Sequence, residues 1–541
     1  MRSTGLHMSD YAVVAGYFIL VFAVAFVVSR KRKQKESGAS AEYFLGGRTL
    51  GWFAIGASLF ASNIGSEHLV GLAGAGAKGD FPAVQFELLA AFILLLLGWL
   101  FVPFYLRTGV FTMPEFLEKR YDAWSRSYLS WVSILSYVLT KISVTIAAGG
   151  IIFTAFLGID FWTGAIIVVV ATGLYTVLGG LKAVIYTDTI QMFIFLAGAL
   201  ALTFYGLQAV GGWSEVKVLA GADALQLWRP MNDPDFPWTG ILLGAPILGI
   251  WYWCTDQFIV QRVLSAKNVV EARRSTIFAG YLKILPLFLF VIPGVIGLAL
   301  YNKGVLDFPQ GPNGAEYDAV LPVMTMQLLP AGLRGLVVAG LLAALMSSLS
   351  SVFNSSSTLF TLDIYKKYRP ESTEKHLVRV GQVCTLVLTG LGLLWIPMLQ
   401  IIEGGLFQKL QSIQAFISPP IAAVFLLGLF NKKLNANGAK WALISGAVIG
   451  VLRLILEINK PALTGFPLAF AEINFLHFAL ILFLFCSALL IGVSYWKPMV
   501  LPSSAGEVIY VRGAGEVSDK INLRASAFLV AVILVIWYAF S

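Results

Sequence analysis

The chain has 541 residues, of which 58% are hydrophobic and only 12% carry a charge. An average soluble domain carries about 25% charged residues, so a chain this poor in charge cannot keep its whole surface in water. This composition excludes a soluble enzyme, a disordered protein and a nucleic-acid-binding protein. The net charge of +9 does not indicate a nucleic-acid partner, because the basic residues form short clusters between apolar runs, as membrane topology requires.

The cysteine and histidine content argues against a disulfide framework and against a zinc or haem site. All three cysteines lie inside apolar runs, so the sequence predicts no disulfide framework. The chain has only four histidines and no C-x-x-C pair, which gives little support to a zinc or haem site.

The apolar runs predict helices that cross a membrane, because about 20 apolar residues span the hydrocarbon layer. They are long and do not alternate, which excludes a β-barrel, and the first is too long to be a removed signal peptide. We predict fourteen spans, in chain order 10–29, 51–76, 83–106, 126–157, 161–178, 184–208, 239–261, 274–301, 333–365, 377–400, 410–430, 438–458, 472–496 and 523–540.

The positions of Lys and Arg predict the orientation, because basic loops stay in the cytoplasm. The first span is followed by the cluster Arg30, Lys31, Arg32, Lys33 and Lys35, and most later basic residues fall in alternate loops on that same side. The later inner set is Arg107, Lys119, Arg120, Arg126, Arg262, Lys267, Arg273, Arg274, Lys366, Lys367, Arg369, Lys375, Arg379, Lys432, Lys433, Lys440, Lys497, Arg512, Lys520 and Arg524. We therefore expect both termini outside, in a plasma membrane. The outer loops lack cysteines and N-x-S/T acceptors, which favours a bacterial inner membrane.

Ionisable side chains within the spans are functional candidates, because at membrane depth they are costly unless paired or facing water. The predicted spans hold Glu67, His68, Glu87, Lys141, Asp188, Asp256, Lys283 and Arg453. The alternative for any one of them is a buried structural pair or a position near the lipid headgroups.

Two spans carry small and polar residues halfway along their length. In the second span these residues include Asn63, Gly65 and Ser66, and in the seventh they fall within 251–257. Such residues at membrane depth predict an unwound helix whose free carbonyls line a cavity, or alternatively tight packing between helices. Two interruptions in corresponding positions are typical of a transporter built from inverted repeats.

The ninth span offers a face of neutral oxygen atoms. Ala344, Ser347, Ser348 and Ser351 are spaced i, i+3, i+4 and i+7, so they share one side of the helix. A backbone carbonyl and hydroxyls suit a hard cation such as sodium. The alternative is a serine-rich packing face, which membrane helices also use.

Long blocks of the sequence resemble a known family. The blocks are GASLFASNIGSEHLVGLAG, VIYTDTIQ, IWYWCTDQFIVQRVLSAKN, GYLK, GLRGLVVAGLLAALMSSLSSVFNSSSTLFTLDIY and QSIQAFISPPIAAVFLLGLF. They resemble the sodium/solute symporter family, and most of all its sodium/glucose cotransporter branch, from about residue 10 to the last span. The resemblance implies an all-α polytopic membrane protein of about fourteen helices with a five-plus-five inverted repeat, the leucine-transporter-type fold. The implied parts are an N-terminal helix and basic loop (1–50), repeat one (51–208), repeat two (239–430) and three accessory helices (431–541).

The resemblance also implies the binding residues. The sodium site would use the carbonyls of Ala61, Ile64 and Ala344 with the hydroxyls of Ser347 and Ser348. The sugar site would use Asn63, His68, Glu87, Tyr252, Trp253, Lys283 and Gln411. Tyr252 would form the inner gate beneath the sugar. The chemistry suits a pyranose, since carboxylate, amide and ammonium groups pair with hydroxyls and an aromatic face covers the C–H side.

A second sodium site is implied nearer the cytoplasm. Family members that couple two ions resemble this chain in carrying an acid at Asp188 and hydroxyls at Ser350 and Ser351. The alternative is that Asp188 only caps a helix or pairs locally, for example with Lys182.

Four positions depart from the family pattern and bear on the choice of sugar. Gly249 stands where sugar carriers place Thr or Asn, and Gln408 and Gln414 stand where glucose carriers have Asp and Thr. Thr145 replaces an acid on the helix that bears Lys141.

We therefore expect a symporter that couples sodium to the uptake of a neutral sugar, with glucose or galactose favoured, and not an enzyme. A polyol such as myo-inositol or another sugar is the nearest alternative. A membrane transferase would need an intramembrane His/Asp cluster or an Asp-rich motif, and a sensor would need a signalling domain larger than the inner loop 497–522. A channel fits less well, because the site residues indicate a bound solute. The expected partners are the sugar and the bilayer, with no nucleic acid and no obligatory protein partner indicated.

Overall fold

The computed structural model of the protein describes residues 5–30, 38–311, 314–399, 406–509 and 519–541. The predicted inner residues Lys31, Arg32, Lys33, Lys35 and Arg512, and the last residue of the tenth predicted span, lie outside this part of the chain. The described residues form a bundle of helices with one short antiparallel hairpin, Gln310–Gly311 (β1) and Gly314–Ala315 (β2).

The first half of the chain contains nine helices in the described ranges. They are α1 Met8–Arg30, α2 Ala39–Leu45, α3 Trp52–Asn63, α4 Ser66–Lys78, α5 Phe81–Thr108, α6 Met113–Arg120, α7 Ala123–Phe156, α8 Phe161–Val210 and α9 Trp213–Ala220. Short 3₁₀ turns at Gly46–Arg48 and Ala222–Leu225 follow α2 and α9.

The second half begins with three short helices in succession. They are α10 Trp238–Leu243, α11 Ala245–Gly249, which continues into a π-helical turn at Ile250–Thr255, and α12 Gln257–Leu264. The remaining helices are α13 Val269–Asn302, α14 Val320–Leu328, α15 Leu333–Tyr368, α16 Glu374–Leu399, α17 Leu406–Phe430, α18 Ala436–Ile458, α19 Gly465–Glu472, α20 Phe475–Trp496 and α21 Lys520–Ala539. Further 3₁₀ turns occur at Tyr317–Ala319, Lys460–Ala462 and Ser503–Val508.

Within the described ranges, 11 helices are long and apolar enough to cross a membrane: α1, α5, α7, α8, α13, α15, α16, α17, α18, α20 and α21. The predicted second span is absent from this set because it is divided into α3 and α4, of 12 and 13 residues. The predicted seventh span is likewise divided, into α10, α11 and α12. The polytopic, all-helical architecture is therefore as predicted.

The spans predicted at 161–178 and 184–208 correspond to the two arms of α8, which meet at a kink in place of an extended loop. The chain changes direction at Gly180, which has a φ of 61° and a ψ of −163°. A Cβ atom at Gly180 would lie 2.6 Å from the Tyr43 carbonyl oxygen, so only glycine fits this close approach.

The predicted interruption of the second span is confirmed. Between α3 and α4, Ile64 and Gly65 have non-helical backbone angles. The Gly65 amide donates to the Asn63 carbonyl at 3.1 Å, and the His68 amide donates to the Gly65 carbonyl at 3.1 Å. Both amides are thus diverted from the i−4 carbonyls of a continuous helix, those of Ala61 and Ile64, which become available to a ligand.

The predicted interruption of the seventh span is also confirmed, and it lies at Asp256. This residue has an extended backbone, and its carboxylate accepts from the Phe258 amide at 3.2 Å at the start of α12. The π-helical turn that precedes it inserts extra residues into the helix and so changes the direction of the side chains at 250–255.

The segment before α3 and the segment after α12 are joined by two backbone hydrogen bonds and one bond to a side chain. The Leu50 amide donates to the Ser265 carbonyl at 3.2 Å, and the Lys267 amide donates to the Leu50 carbonyl at 3.3 Å. The Trp52 amide donates to the Glu271 carboxylate at 2.9 Å. We call this set the Leu50 junction.

The centre of the bundle is formed by α8 packed along α15, which is almost wholly buried. Gly198 and Gly340 allow this approach: a Cβ at Gly198 would lie 3.1 Å from the Val337 Cα, and one at Gly340 would lie 2.9 Å from the Phe195 Cα. Small residues at helix crossings are the usual basis of packing in membranes. The serine-rich face of α15 is therefore held at the centre of the protein.

Candidate functional site

A small cavity, with about 40 Å³ of space open to water-sized molecules, lies beside the two interruptions. It is lined by Asn63, His68, Phe86, Glu87, Leu89, Ala90, Ile93, Lys141, Ala245, Leu248, Gly249, Tyr252, Trp253, Lys283, Gln411 and Gln414. The structure thus brings all seven residues of the predicted sugar site around one space. That these residues bind a sugar remains a prediction.

A buried ion pair forms part of the cavity wall. Glu87 stands near the start of α5, and Lys283 follows the helical turns that end at Leu282 inside α13. The Lys283 ammonium donates to both the Glu87 carboxylate and the Asn63 side-chain carbonyl. Its nitrogen lies 5.1 Å from the centroid of the Trp253 ring, a cation–π contact. Each charge therefore has a partner, and both sit where a ligand could share those hydrogen bonds.

The Tyr252 hydroxyl joins two parts of the site. It accepts from the Asn63 amide at 3.0 Å and from the Lys141 ammonium at 2.9 Å. A phenol that accepts two hydrogen bonds still has its own proton to donate. The Lys141 nitrogen also lies 4.2 Å from the centroid of the Tyr252 ring and 4.7 Å from that of Phe258. These contacts fix the tyrosine that the family resemblance identifies as the inner gate.

His68 lies between a carboxylate and an aromatic ring. Its Nδ1 is 3.4 Å from the Glu67 Oε1, and its ring meets the edge of Phe407 at a centroid distance of 5.8 Å. The other Glu67 oxygen accepts from the Thr145 hydroxyl at 3.1 Å. Thr145, where the family pattern described above has an acid, is therefore hydrogen-bonded to an acid from α4.

The aromatic side chains around Phe86 were not predicted. Phe86 lines the cavity and packs against Phe407, Phe236 and Phe475, at centroid distances of 5.8, 6.4 and 6.5 Å. Aromatic residues make up 13% of the chain, so no single phenylalanine stands out in the sequence.

The residues predicted for the first sodium site lie where α15 meets the interruption between α3 and α4. The Ser348 hydroxyl donates to the Ser62 carbonyl at 3.1 Å. Ser62 is between Ala61 and Ile64, whose carbonyls have lost their usual helical donors. Ala344, one turn before Ser348, is fully buried. The predicted ligands are thus adjacent, while their binding of sodium is untested.

Asp188 is the centre of a buried polar network. One carboxylate oxygen accepts from the Ser347 hydroxyl at 2.7 Å, and the other accepts from Ser58 at 2.6 Å and Ser62 at 3.0 Å. The Arg262 guanidinium lies 3.4 Å from that second oxygen, and neither side chain has any exposed area. The Ser347 contact joins the residues predicted for the first sodium ion directly to those predicted for the second.

Ser350 and Ser351 lie on the next turn of α15. The Ser350 hydroxyl donates to the Ser347 carbonyl at 3.0 Å, and the Ser351 hydroxyl accepts a hydrogen bond from Arg262. Lys182, the local partner considered for Asp188, instead pairs with Glu42 at 3.7 Å. That alternative pairing is wrong, because the nearer arginine occupies the carboxylate.

The other ionisable candidates have structural partners. The Asp256 carboxylate accepts from the Tyr137 hydroxyl as well as capping α12. Arg453 pairs with Glu457, donates to the Ile473 carbonyl at 3.1 Å and lies away from the cavity. Arg453 therefore fits the structural alternative considered for it.

The other positions that depart from the family pattern fall in two places. Gly249 and Gln414 line the cavity. Gln408 instead donates to the Asp235 carboxylate at 2.7 Å, in the segment that precedes α10. Two of these departures are therefore placed to affect the shape of the cavity.

Arg262, Ser58 and Ser62 are the polar residues that sequence reasoning missed. Arg262 was assigned to an inner loop because the predicted span ended at 261, whereas α12 continues to Leu264 and buries it. The apolar residues Val263 and Leu264, which follow Arg262, could have signalled this. Ser58 and Ser62 are four residues apart in the first half of the interrupted span, a spacing that places both on one helix face.

Comparison with known proteins identifies the family. The model of the sodium:solute symporter family matches residues 43–446. The sodium/glucose cotransporter 4 of Mus musculus is 41% identical over 91% of this chain and 76% of its own length. The sodium/glucose cotransporter 1 of Ovis aries is 41% identical over 91% of this chain and 79% of its own length. These relatives are transporters, as predicted, and not enzymes.

Solved structures agree at the level of the fold. A substrate-bound, outward-open sodium-coupled sialic acid symporter superposes with a TM-score of 0.78 at 24% identity, covering 91% of this chain and 98% of its own. A nucleobase-cation-symport-1 family transporter in a closed conformation gives a TM-score of 0.50 at 13% identity, covering 86% and 97%. With the matched family model and the extended similarity to curated relatives, the chain belongs to the sodium:solute symporter family.

Proposed function

We propose that this protein couples the inward movement of sodium to the uptake of a neutral sugar by alternating access, with glucose or galactose as the favoured substrate. The observation that carries the proposal is the Glu87–Lys283 pair, which shares Asn63 and lies beside Trp253 in the cavity wall. Carboxylate and ammonium groups accept from and donate to sugar hydroxyls, and the aromatic ring covers an apolar sugar face. The identity to sodium/glucose cotransporters supports the same substrate class.

The charge balance of the site favours a neutral substrate. Glu87 and Lys283 cancel one another, so a neutral molecule can enter between them without leaving an unpaired charge. A carboxylate substrate would add an unpaired negative charge to this neutral site. Gln411 and Gln414, also on the cavity wall, add further groups that both donate and accept.

The alternative substrate is a polyol such as myo-inositol, or another sugar. Gly249 supports this alternative, because a glycine at this position of the cavity wall has no side chain that could form a hydrogen bond with a glucose hydroxyl. A panel of labelled sugars and polyols distinguishes these cases.

We propose a first sodium site formed by the carbonyls of Ala61, Ile64 and Ala344 with the hydroxyls of Ser347 and Ser348. We propose a second formed by Asp188, Ser350 and Ser351. With a tenfold gradient and 100 mV, each ion supplies about 1.4 plus about 2.3 kcal/mol, so one ion supports roughly 500-fold accumulation and two support roughly 10⁵-fold. The full negative charge of Asp188 in a medium of low dielectric supports the second site.

We also propose the finer topology. Fourteen spans follow if α3 with α4, α10 with α12, and each arm of α8 cross the membrane. An interruption near the start of each half, at 64–65 and at Asp256, supports inverted repeats at 51–208 and 239–430. The distribution of basic residues supports a plasma-membrane protein with both termini outside. The lack of cysteines and N-x-S/T acceptors in the predicted outer loops supports a bacterial inner membrane.

Uptake into proteoliposomes tests the proposal. We expect labelled glucose or galactose to accumulate when an inward sodium gradient is imposed, and not when choline replaces sodium. Equal uptake in both media would contradict sodium coupling, and accumulation driven by a proton gradient would replace it.

A further inference from the structure

Arg262 contacts the acid and one hydroxyl of the proposed second sodium site. Its guanidinium lies 3.4 Å from the Asp188 carboxylate and donates to the Ser351 hydroxyl. Its Nε donates to the Ser58 hydroxyl at 2.8 Å, and Ser58 in turn donates to Asp188 at 2.6 Å. Arg262 therefore contacts oxygen atoms that a sodium ion at this site would need as ligands.

The electrostatics do not favour two cations at this place. Asp188 carries one negative charge, and neither it nor Arg262 has any exposed area. With Arg262 in contact, the pair is neutral, so adding sodium would leave an uncompensated positive charge in a medium that screens poorly. When Arg262 moves away from Asp188, a sodium ion bound to the carboxylate restores a net charge of zero at this place.

The guanidinium has other partners to keep when it leaves the carboxylate. Its Nη1 donates to the Phe258 carbonyl on the preceding turn of its own helix, and its Cζ lies 5.4 Å from the centroid of the Phe258 ring. Both partners travel with α12, so they do not depend on Asp188. Arginine suits this exchange because its planar fork can hold several acceptors at once.

We propose that Arg262 is a tethered cation that occupies the second sodium site when the ion is absent, and that sodium binds Asp188 by displacing it. The inference rests on the proposed sodium coupling and adds a residue that sets the affinity of the second ion. Part of the binding free energy of sodium at that site is consumed in displacing Arg262, so the measured affinity is weaker than the ligands alone would give. An ion held this weakly is released readily.

Equilibrium binding of ²²Na to the purified full-length transporter in detergent tests the proposal. We expect the wild type to bind two ions, and R262Q to lower the half-saturating sodium concentration of the weaker one by about tenfold, equivalent to about 1.4 kcal/mol. D188N and the double variant R262Q/D188N should bind a single ion. S348A identifies the first site, because it should weaken the other ion.

R126Q is the matched control. Arg126 also pairs with a buried acid, Asp363, at 2.6 Å, but it contacts none of the proposed sodium ligands. It should leave both half-saturating concentrations unchanged. A folded R262Q protein with the wild-type sodium affinities would overturn the proposal. An equal fall in the half-saturating sodium concentration of R126Q would also overturn it.

Two further variants keep the test decisive if R262Q does not fold. Removing one partner of a buried ion pair is strongly destabilising, whereas removing both charges is tolerated better, so R262Q/D188N reports whether the fold survives. R262K keeps a cation but lacks the planar guanidinium that contacts Asp188 and Ser351 at once, so it too should lower the half-saturating sodium concentration. A value equal to that of the wild type would refute competition between residue 262 and sodium. If neither the wild type nor any variant binds sodium, the proposed sodium coupling itself fails. That result differs from sodium binding with unchanged affinities, which would refute only the role of Arg262.

Discussion

Two buried acid–base pairs lie near the centre of the protein, and they differ in what surrounds them. Glu87 and Lys283 form part of a cavity wall, and the lysine shares its protons with Asn63. Asp188 and Arg262 are enclosed by hydroxyl groups and line no part of that cavity. The first pair borders the cavity, where its charged groups can pair with the hydroxyl groups of a ligand. The second has no exposed area and is surrounded by hydroxyl oxygens, the ligands that a small hard cation prefers, so the two pairs suit the two substrates of a symporter.

The largest expected effect concerns the cavity pair. Glu87→Ala and Lys283→Ala should each reduce sugar binding by about 100-fold or more, because each leaves a buried charge without its partner. Binding of labelled sugar to purified protein, with the melting temperature alongside, checks this.

The matched control for Glu87 is Glu457→Gln, which removes a carboxylate paired with Arg453 outside the cavity. It should leave sugar binding unchanged. Normal sugar affinity in a stable Glu87→Gln protein would mean that the Glu87–Lys283 pair serves only to hold two helices together. The two buried pairs would then not differ in the way proposed.

The next effect concerns the enclosed pair. Asp188→Asn and Ser350→Ala should reduce the sodium-to-sugar ratio from two to one, and so lower the maximal accumulation from roughly 10⁵-fold to roughly 500-fold under a tenfold gradient and 100 mV. Reversal potentials in proteoliposomes measure the ratio directly. A ratio of one in the wild type, unchanged in Ser350→Ala, would show that this site does not couple.

A smaller effect is expected at the proposed first sodium site. Ser348→Ala removes one neutral ligand and should raise the half-saturating sodium concentration for uptake by about tenfold, since a lost hydrogen-bonding or ligand contact costs about 1–2 kcal/mol. Sugar uptake as a function of sodium concentration checks this. Ser356→Ala, two turns further along the same buried helix, is the control, and an equal change there would point to a general loss of packing.

The smallest effect is expected at His68. His68→Ala should alter the preference among sugars by several-fold while the melting temperature changes little, because a neutral imidazole can donate or accept. Competition between labelled glucose and a panel of unlabelled sugars measures the preference. An unchanged order of sugars would remove His68 from the proposed binding residues.

Sequence reasoning recovered most of the architecture, because hydropathy reports directly on helices that must satisfy their own backbone in lipid. It placed both interruptions, since Gly, Ser and Asn clustered at membrane depth are unfavourable in a continuous helix that faces lipid. It also separated the two arms of α8, although the break at Gly180 is a kink and not the loop expected at 179–183. It also gave no sign of the short helices α6, α9 and α14, which do not cross the membrane.

The site was predicted in part for a similar reason. Charged residues at membrane depth are rare, so Glu87 and Lys283 attract attention in the sequence alone. Arg262 escaped because positive residues at span ends are common, and only the packed structure separates a buried arginine from one in a loop. Contacts such as Lys141 with Tyr252 join residues 111 positions apart, a separation that no local pattern encodes.

The Leu50 junction connects the segment that leads into α3 with the segment that leaves α12. Its two backbone hydrogen bonds do not depend on side-chain identity, whereas the bond to Glu271 does. A displacement that draws α12 away from α15 also pulls on the start of α3, the helix whose far end carries the carbonyls proposed for the first sodium ion. Asn63, which lines the cavity, ends this same helix, so the junction is connected through α3 to both proposed binding sites.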